Sequence, residues 1–597
     1  MKLFLITLSA GLIFNMTSAQ NVLIKYSLGM SKPSTHYFEV EISFDGLPKS
    51  DKTLDLTLPV WRPGRYLIFD FASGIQEFEA FDSSVKTLKW YKTDKSTWRI
   101  ETNSSSKIIV KYKVFANEFS LRTRGLDDTH GFVNGTSVFM YSEKYRSNPM
   151  ALKVIPYNGW HVTTGLDNLG NNPNEFIASN YDYFVDCPLE IGTQTDFDFE
   201  VEGKKHIISF YGEANYDKQK LIDDFTKIIK KNYDFWGSVP YEKYVFIIHC
   251  NPQSGGGTEH INSTVLAVRP SSFETEAGYT GILRLVSHEF FHTWNVKQLK
   301  PKGLTPYNYK EENYTSELWI AEGGTSYYDG LMVVRTGQMK PEDFYKEITR
   351  GVEDERRRPG NRIQSVAESS FDAWVKFWKR TPNAYNSESD YYAKGSYVCI
   401  VLDFEIRYAS KNRHSLDEVF KAMYERFPLD VKGYTNEDFQ KTCEEFAGVN
   451  LKQFFDEYVY GTEPIEWEKY LSYAGLVLKS DDSTIVPVVG LRTDRRGDKI
   501  IVDEVLTGSS AEKAGLMSGD EIIAYDGARL SYDEMGKRVK ELKSGDKVTL
   551  TVFRADKLKE FTITLEERKL ANYYLVKTAN PTALQKEIYK DWLELVK

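Results

Sequence analysis

Two histidines four residues apart with a glutamate after the first, His288-Glu289-Phe290-Phe291-His292, have the spacing by which one helix turns two imidazoles toward one metal ion. Glu289 follows His288 by about 100° round that helix. A carboxylate there is within reach of a water in an open zinc position and can accept its proton. The flanks fit a helix: Gly281-Ile282-Leu283-Arg284-Leu285-Val286 leads in with apolar residues at helical spacing, and Pro301 stops the pattern. Two buried structural histidines are the competing reading. With only 9 histidines in 597 residues an accidental pentad of this kind is rare, and rarer still on a helix.

A zinc hydrolase needs a third protein ligand and leaves the fourth position to water. Glu322 is the candidate, in the helical-looking run Glu317 to Asp329 that begins 25 residues after His292 (317 minus 292). A carboxylate among Leu318, Trp319, Ile320 and Ala321 is costly to bury without a cation. Asp329, seven residues on, shares its face and either orients a ligating imidazole or is a solvated acid.

Two further stretches bear on the same chemistry. Gly255-Gly256-Gly257-Thr258-Glu259 combines glycines that permit close backbone approach to a ligand with an acid placed to meet a cation; a plain glycine-rich hairpin is the alternative. Tyr392, in Asp390-Tyr391-Tyr392-Ala393-Lys394-Gly395, stands at the start of a predicted helix, where a phenol can hydrogen-bond a developing oxyanion. With 38 tyrosines in the chain, that pattern is weak by itself.

At 597 residues the chain exceeds a single core, and 41% hydrophobic with 14% aromatic content fits several folded domains. A net charge of −9 with no basic block argues against nucleic acid or anionic membrane as partner. Met1-Lys2, an apolar run from Leu3 to Met16 and the small residues Thr17-Ser18-Ala19 read as a secretory signal over 1–19, too short to span a membrane. The expected location is periplasmic or extracellular, with no membrane span. Cys187, Cys250, Cys399 and Cys443 are too few and scattered for a disulfide framework; buried thiols are the expectation, with one disulfide left open.

Alternating strands with turn residues between them, such as His36 to Phe44 and Ile108 to Val114, predict a mainly antiparallel β-sandwich over 20–203. Arg62-Pro63-Gly64-Arg65 is a turn within it. A second domain, 204–338, contains the metal motif, an amphipathic helix from Asp217 to Trp236 and the buried strand Tyr244 to His249. Residues 339–475 read as helical. Short strands then dominate 476–570, where Ala514-Gly515-Leu516, Gly519-Asp520-Glu521-Ile522-Ile523 and Asp526-Gly527 resemble a PDZ domain; Gly490-Leu491 falls where such domains hold a peptide carboxylate on backbone amides. An amphipathic helix ends the tail, 571–597.

Taken jointly, His288 to Asn295, Glu322-Gly323, Tyr392-x-Lys394-Gly395 and Gly256-Gly257-x-Glu259, with a PDZ unit behind them, resemble the glycyl aminopeptidase family of gluzincin metallopeptidases. The likeness extends to Trp61-Arg62-Pro63-Gly64-Arg65 in the β domain. It implies a multidomain α+β chain: an N-terminal β-sandwich, a thermolysin-like catalytic domain with a helical domain, and a C-terminal PDZ domain. It further implies one zinc ion per chain on His288, His292 and Glu322, with Glu289 as general base and Tyr392 as stabiliser of the tetrahedral intermediate. Glu259 would grip the substrate α-amino group beside Gly256 and Gly257. In the wider gluzincin aminopeptidases the equivalent acid has Met before it and Asn after it, where this chain has Thr258 and His260. A preference for N-terminal glycine or alanine rests on the resemblance alone.

The resulting expectation is a secreted zinc aminopeptidase acting on peptides, with a C-terminal peptide as a second partner at the PDZ domain. Two rivals stand beside it: a zinc endopeptidase of the same chemistry, and a PDZ-bearing adaptor with a vestigial metal site.

Overall fold

The computed structural model describes residues 22–253, 255–429, 432–540 and 542–594, of which 482, 483, 535, 536, 539 and 540 are described by backbone alone. The leader expected at 1–19 lies outside the described residues. Two compact units emerge: the chain up to Pro59 with Asp70–Val162 and Leu166–Thr193, and Val60–Phe69 with Thr163–Gly165 and Gln194–Lys597.

The first unit is β-rich. Its largest sheet has seven strands, antiparallel except where Leu23–Gly29 runs parallel to Met150–Ile155. Alternation sorts each strand's side chains: Tyr37–Asp45 buries Phe38, Val40, Ile42 and Phe44 and leaves the intervening residues more exposed. A three-stranded sheet packs on it through Phe78 and Trp98, stacked with ring centroids 5.5 Å apart, and a five-stranded sheet completes the unit.

The second unit opens with a five-stranded mixed sheet of β1 (Thr195–Val201), β2 (Lys204–Gly212), β3 (Lys243–Cys250), β4 (Gly256–Glu259) and β5 (Ser263–Val268), in the order β1-β2-β3-β5-β4. Because β1 is the hairpin partner of β2, this sheet claims residues that the alternating pattern had extended into the preceding domain. The continuous part of the unit therefore begins at Gln194, ahead of the boundary at 204 that the strand pattern suggested. The parallel pairs β2-β3 and β3-β5 bury the whole run Tyr244 to Ile248, as a central parallel strand requires. Helix α1 (Lys218–Trp236) makes the crossover between β2 and β3; Asp217 caps its start and Gly237, with φ +72°, ends it.

Helix α2 (Glu276–Phe291) follows, packed on the sheet through Phe290, whose ring lies 4.9 Å from Tyr244 and 5.8 Å from Phe246. It stops at His292, well short of Pro301, because the chain turns back there: Trp294 N–H bonds Phe291 O at 3.1 Å. The helical run expected over Glu317 to Asp329 is split, with a π-helical turn over Trp319–Gly324 and then α3 (Thr325–Arg335). Further helices include α4 (Ala393–Ala409).

A two-stranded ribbon, Leu476–Val488 against Glu566–Lys577, leads into and out of the PDZ fold, which has its own apolar core around Ile500, Val502, Leu516, Ile522, Val548 and Ile563. The C-terminal helix Ala583–Trp592 docks on the unit: Trp592 is fully buried, and Arg335 Nε donates to its carbonyl at 3.0 Å. All four cysteines are buried, and none is joined in a disulfide among the described residues. Among the described residues no helix is long and apolar enough to cross a membrane.

Candidate active site

Helix α2 is capped by Thr275, whose hydroxyl accepts from Gly278 N–H at 3.1 Å, and it turns His288 and His292 to the side away from the sheet. Their Nε2 atoms lie 3.1 Å apart. Glu322 Oε2 stands 3.1 Å from His292 Nε2 and 3.7 Å from His288 Nε2, so one ligand atom from each residue converges on one point. Glu322 is only 3% exposed.

The outward nitrogens are held. His292 Nδ1 donates to Asn295 O at 2.7 Å, and His288 Nδ1 donates to Asp329 Oδ2 at 3.2 Å. Each imidazole thereby keeps a lone pair on Nε2 aimed at the shared point. Two such nitrogens beside a buried carboxylate need a proton or a cation between them, and a metal ion in place of the proton makes this the donor set of a zinc site with an open position. The pocket's preference for positive charge is felt at His288: burial alone would push its pKa down, yet Asp329 and Glu322 hold it well above the usual histidine range.

The π-helical turn explains how Glu322 reaches this point. Asn295 Nδ2 donates to Ile320 O at 3.0 Å and Ala321 O at 3.1 Å, taking carbonyls at the irregular turn while its own carbonyl holds His292. Gly323 meets Gly395 so closely that a Cβ on Gly323 would overlap the Gly395 backbone, while one on Gly395 would overlap Trp319 O and press on Gly323 Cα. That crossing brings the start of α4, and Tyr392 with it, to the metal ligands: the Tyr392 and His288 rings are stacked with centroids 6.5 Å apart. Burial, and then the negative charge of Glu322, raise the Tyr392 phenol well above its ordinary pKa, so it stays a hydrogen-bond donor.

Glu289 is 5% exposed, and burial, partly opposed by the two histidines, raises its pKa to about 7. Strand β4 lies against it: a Cβ on Gly257 would collide with the Glu289 carboxylate, which only glycine avoids. Two residues on, Glu259 is 4% exposed, and its charge is felt at Glu289 and His292. Gly256 is exposed at the start of this edge strand.

Asp329 is bracketed by Arg284, whose Nη2 lies 2.6 Å from Oδ1, and Arg284 Nη1 reaches Glu347 at 2.6 Å. Burial raises the Asp329 pKa, but Arg284 and His288 together hold it below the usual carboxylate range. Asp329 is thus an engaged partner of His288 and not a solvated acid.

The turn 62–65, which the strand pattern had put in the β domain, belongs to this unit. Arg62 Nη1 donates to Thr258 Oγ1, and a Cβ on Gly64, where φ is +86°, would overlap the Glu259 carboxylate. Trp61 anchors the segment against Tyr66, Tyr307, Tyr309 and Trp374. Arg65 lies over the Trp378 ring at 4.6 Å, and Trp378 Nε1 donates to Tyr391 at 3.0 Å. Neither this segment's place at Glu259 nor the parts of Asn295 and Arg284 follow from motif spacing. The run Trp61 to Arg65, two arginines around Pro-Gly after a tryptophan, was the visible signal for the first.

Gly490, with φ +83°, and Leu491 lie apart from these residues, on the wall of a separate cavity in the PDZ region.

Comparison with known proteins gives three matches in order along the chain: the Peptidase M61 N-terminal domain over residues 25–193, M61 glycyl aminopeptidase over 281–398, and a PDZ domain over 487–565. His288, Glu289, His292, Glu322 and Tyr392 fall inside the second; Glu259 does not. The crystal structure of an aminopeptidase N family protein from Idiomarina loihiensis superposes with a TM-score of 0.88 at 28% identity, covering 96% of this chain and 100% of that one. Short stretches are similar to two serine proteases: a probable periplasmic DegP-like endoprotease of Marinomonas, 31% identical over 98 residues, and the Do-like HtrB of Bacillus subtilis, 37% identical over 82. These stretches cover 16% and 13% of this chain and span about a fifth of each relative, 20% and 18%. The consecutive matches, with a structural neighbour aligned from end to end, give this chain an M61 N-terminal domain, an M61 glycyl aminopeptidase domain and, after it, a PDZ domain.

Proposed function

We propose that the chain is a zinc aminopeptidase that binds one zinc ion on His288, His292 and Glu322 and removes residues, small ones such as glycine or alanine by preference, from the free amino end of peptides. The observation that carries this reading is the convergence of three metal donors, a buried base and a further buried carboxylate, Glu259, on one site. Zinc held there supplies a Lewis acid that polarises the scissile carbonyl and acidifies water.

The protein's own groups do the rest. Glu289, poised by burial near neutrality, takes the proton of the attacking water and delivers it to the leaving amine. The Tyr392 phenol donates to the oxyanion that develops as the carbonyl is attacked. Asp329, steadied by Arg284, holds the His288 ring in its ligating tautomer. Glu259 takes the substrate ammonium and so fixes how far the chain enters. Gly256 and Gly257 let the peptide lie against the edge strand. A binding site rich in carboxylates favours a substrate that brings its own positive charge.

Export through the leader at 1–19 completes the reading, supported by that segment's composition. The PDZ groove beside Gly490 and Leu491 takes a C-terminal peptide. A screen of aminoacyl reporter substrates with and without chelator, alongside metal analysis, tests the function. Chelator-sensitive release from free-amine reporters with about one zinc per chain supports it; release only from internal bonds of blocked peptides would give the endopeptidase, and metal-free inert protein the adaptor.

A further inference from the structure

The segment that closes on Glu259 ends in a tyrosine the mechanism does not use. Tyr66 is 2% exposed, and its ring is held from two directions: it stacks on Trp61 with centroids 6.5 Å apart and meets Trp374 edge to face at 5.6 Å. The two indoles pack against each other at 5.1 Å, and Tyr307 backs Trp61 at 5.8 Å. Both indoles are anchored, Trp61 Nε1 donating to Asn308 O at 2.6 Å and Trp374 Nε1 to Asn313 O at 3.0 Å. A ring set between two anchored indoles in a close-packed interior cannot swing aside without displacing them.

The surroundings of its hydroxyl place this ring within the active site. Burial, and then Glu322, Tyr391, Glu259 and Tyr307 in that order, raise the Tyr66 pKa well above the ordinary tyrosine range; the Tyr392 phenol feels Glu322, Tyr391, Glu259 and Tyr66. The two phenols thus share a space bounded by Glu322 and Glu259. Gly64, two residues before Tyr66 and so close to the Glu259 carboxylate that a Cβ would overlap it, fixes the turn in that place. On the reading proposed above, a peptide's ammonium lies at Glu259 and its first carbonyl at Tyr392 and the metal ligands. The first Cα is bonded to both groups, about 1.5 Å from the amine nitrogen and from the carbonyl carbon. Its side chain therefore starts in the interval between Glu259 and Glu322, where the Tyr66 ring stands.

We infer that Tyr66, clamped by Trp61 and Trp374, sets the size of the first substrate residue: its ring is the wall that glycine and alanine clear and that longer side chains strike. The inference rests on the aminopeptidase reading and gives a preference for small residues a cause in this chain's own packing. Glu259 and Tyr66 then have separate duties on one turn, the acid fixing how far the peptide enters and the ring fixing what side chain it brings. Tyr66 takes no part in proton transfer. Overfilling a rigid aromatic pocket is as unfavourable as leaving it empty, so a wall of this kind discriminates by steric clash and not by a lost contact.

The test measures kcat/KM of the zinc-loaded full chain on free-amine glycyl, alanyl, leucyl and phenylalanyl reporters. The wild type favours glycine over leucine by about tenfold or more. Tyr66→Ala raises the leucine-to-glycine ratio by about tenfold or more, and Tyr66→Leu, which keeps apolar filling between the indoles, raises it by about threefold. Tyr66→Phe keeps the ring and holds the ratio within about twofold. Zinc content and Tm, measured for each variant, show that site and fold are intact. Equal use of glycine and leucine by the wild type, or an unchanged ratio in folded, zinc-loaded Tyr66→Leu, overturns the proposal. A reporter series left uncut by the wild type marks failure of the peptidase reading instead. Calorimetric titration of the Glu289→Gln chain with glycyl-phenylalaninamide and leucyl-phenylalaninamide then decides the wall without turnover: adding Tyr66→Ala improves leucyl over glycyl affinity by about tenfold if the wall is there, and no such gain contradicts it.

Discussion

The two ends of the active site are built in opposite ways. The metal end draws its donors and their supports from one continuous stretch, Arg284 to Asp329, with a regular helix giving two ligands at fixed spacing and a π-helical turn giving the third. The end proposed to take the substrate amine is assembled from Glu259 on an edge strand and the segment Arg62 to Tyr66, nearly two hundred residues earlier in the chain (259 minus 64 is 195). On the proposed reading, local geometry suffices to hold the metal, whereas measuring the end of a peptide requires a wall brought from elsewhere. Changes at the metal end should therefore affect every substrate alike, and changes at the amine end should separate free from blocked substrates.

The largest effects belong to the metal end. His288→Ala and Glu322→Ala are expected to lose zinc, measured by metal analysis, together with all turnover. Glu289→Gln keeps the side chain's shape without its basicity, so zinc stays near stoichiometric while kcat falls by about 10³ to 10⁴. Retention of most turnover in that variant would remove the base from the account. Tyr392→Phe comes next, with kcat lower by about a hundredfold and KM little changed. A loss in KM alone would make the phenol a binding group, and full activity would pass its role to Tyr391, whose hydroxyl accepts from Trp378.

Gly64→Ala sharpens the contrast at smaller scale. A Cβ at φ +86° must displace either the backbone or the Glu259 carboxylate, so kcat/KM should fall by about tenfold for free-amine reporters and remain unchanged for acetylated ones. An equal loss on both would mean that the segment merely supports the fold.

A group remote from both ends gives the baseline. His206 is fully buried, donates from Nδ1 to Lys204 O at 3.0 Å and accepts at Nε2 from Tyr241 at 3.1 Å, and burial lowers its pKa to about 4. The folded form binds fewer protons than the unfolded chain between about pH 4 and 6.5, so its contribution is intact above pH 6.5 and is lost as pH falls toward 4, up to about 3 kcal/mol. His206→Phe should flatten that part of the stability curve in denaturant titrations and leave substrate selectivity at pH 7 untouched. A selectivity change would show that the two ends are not insulated from the sheet.

How far sequence reveals this site follows the same division. His288, Glu289 and His292 were legible because four-residue spacing on a helix is a covalent constraint, and Glu322 because an acid in an apolar run needs a cation. The π-helical turn was not, since it depends on Asn295 taking its carbonyls and on Gly323 meeting Gly395. Nor was the early end of α2, which the pattern had carried toward Pro301. The place of Arg62 to Tyr66 is set by packing around Trp61, which leaves no periodic trace. In the β-rich unit, alternation exposed the strands but not their grouping into three sheets, and it missed that Thr195–Val201 pairs onward with Lys204–Gly212. The PDZ fold was readable from its turn glycines, yet its long entry ribbon comes from residues outside that pattern.

The most direct test of the division is the selectivity of Glu259→Ala, measured as kcat/KM for a glycyl reporter with a free amine and for the same reporter acetylated, with zinc content determined in parallel. Loss of a charge-assisted contact to the ammonium predicts a fall of about ten to a thousandfold on the free substrate, no change on the acetylated one, and full zinc occupancy. Equal losses on the two substrates would contradict the account and make Glu259 part of the scaffold of an endopeptidase.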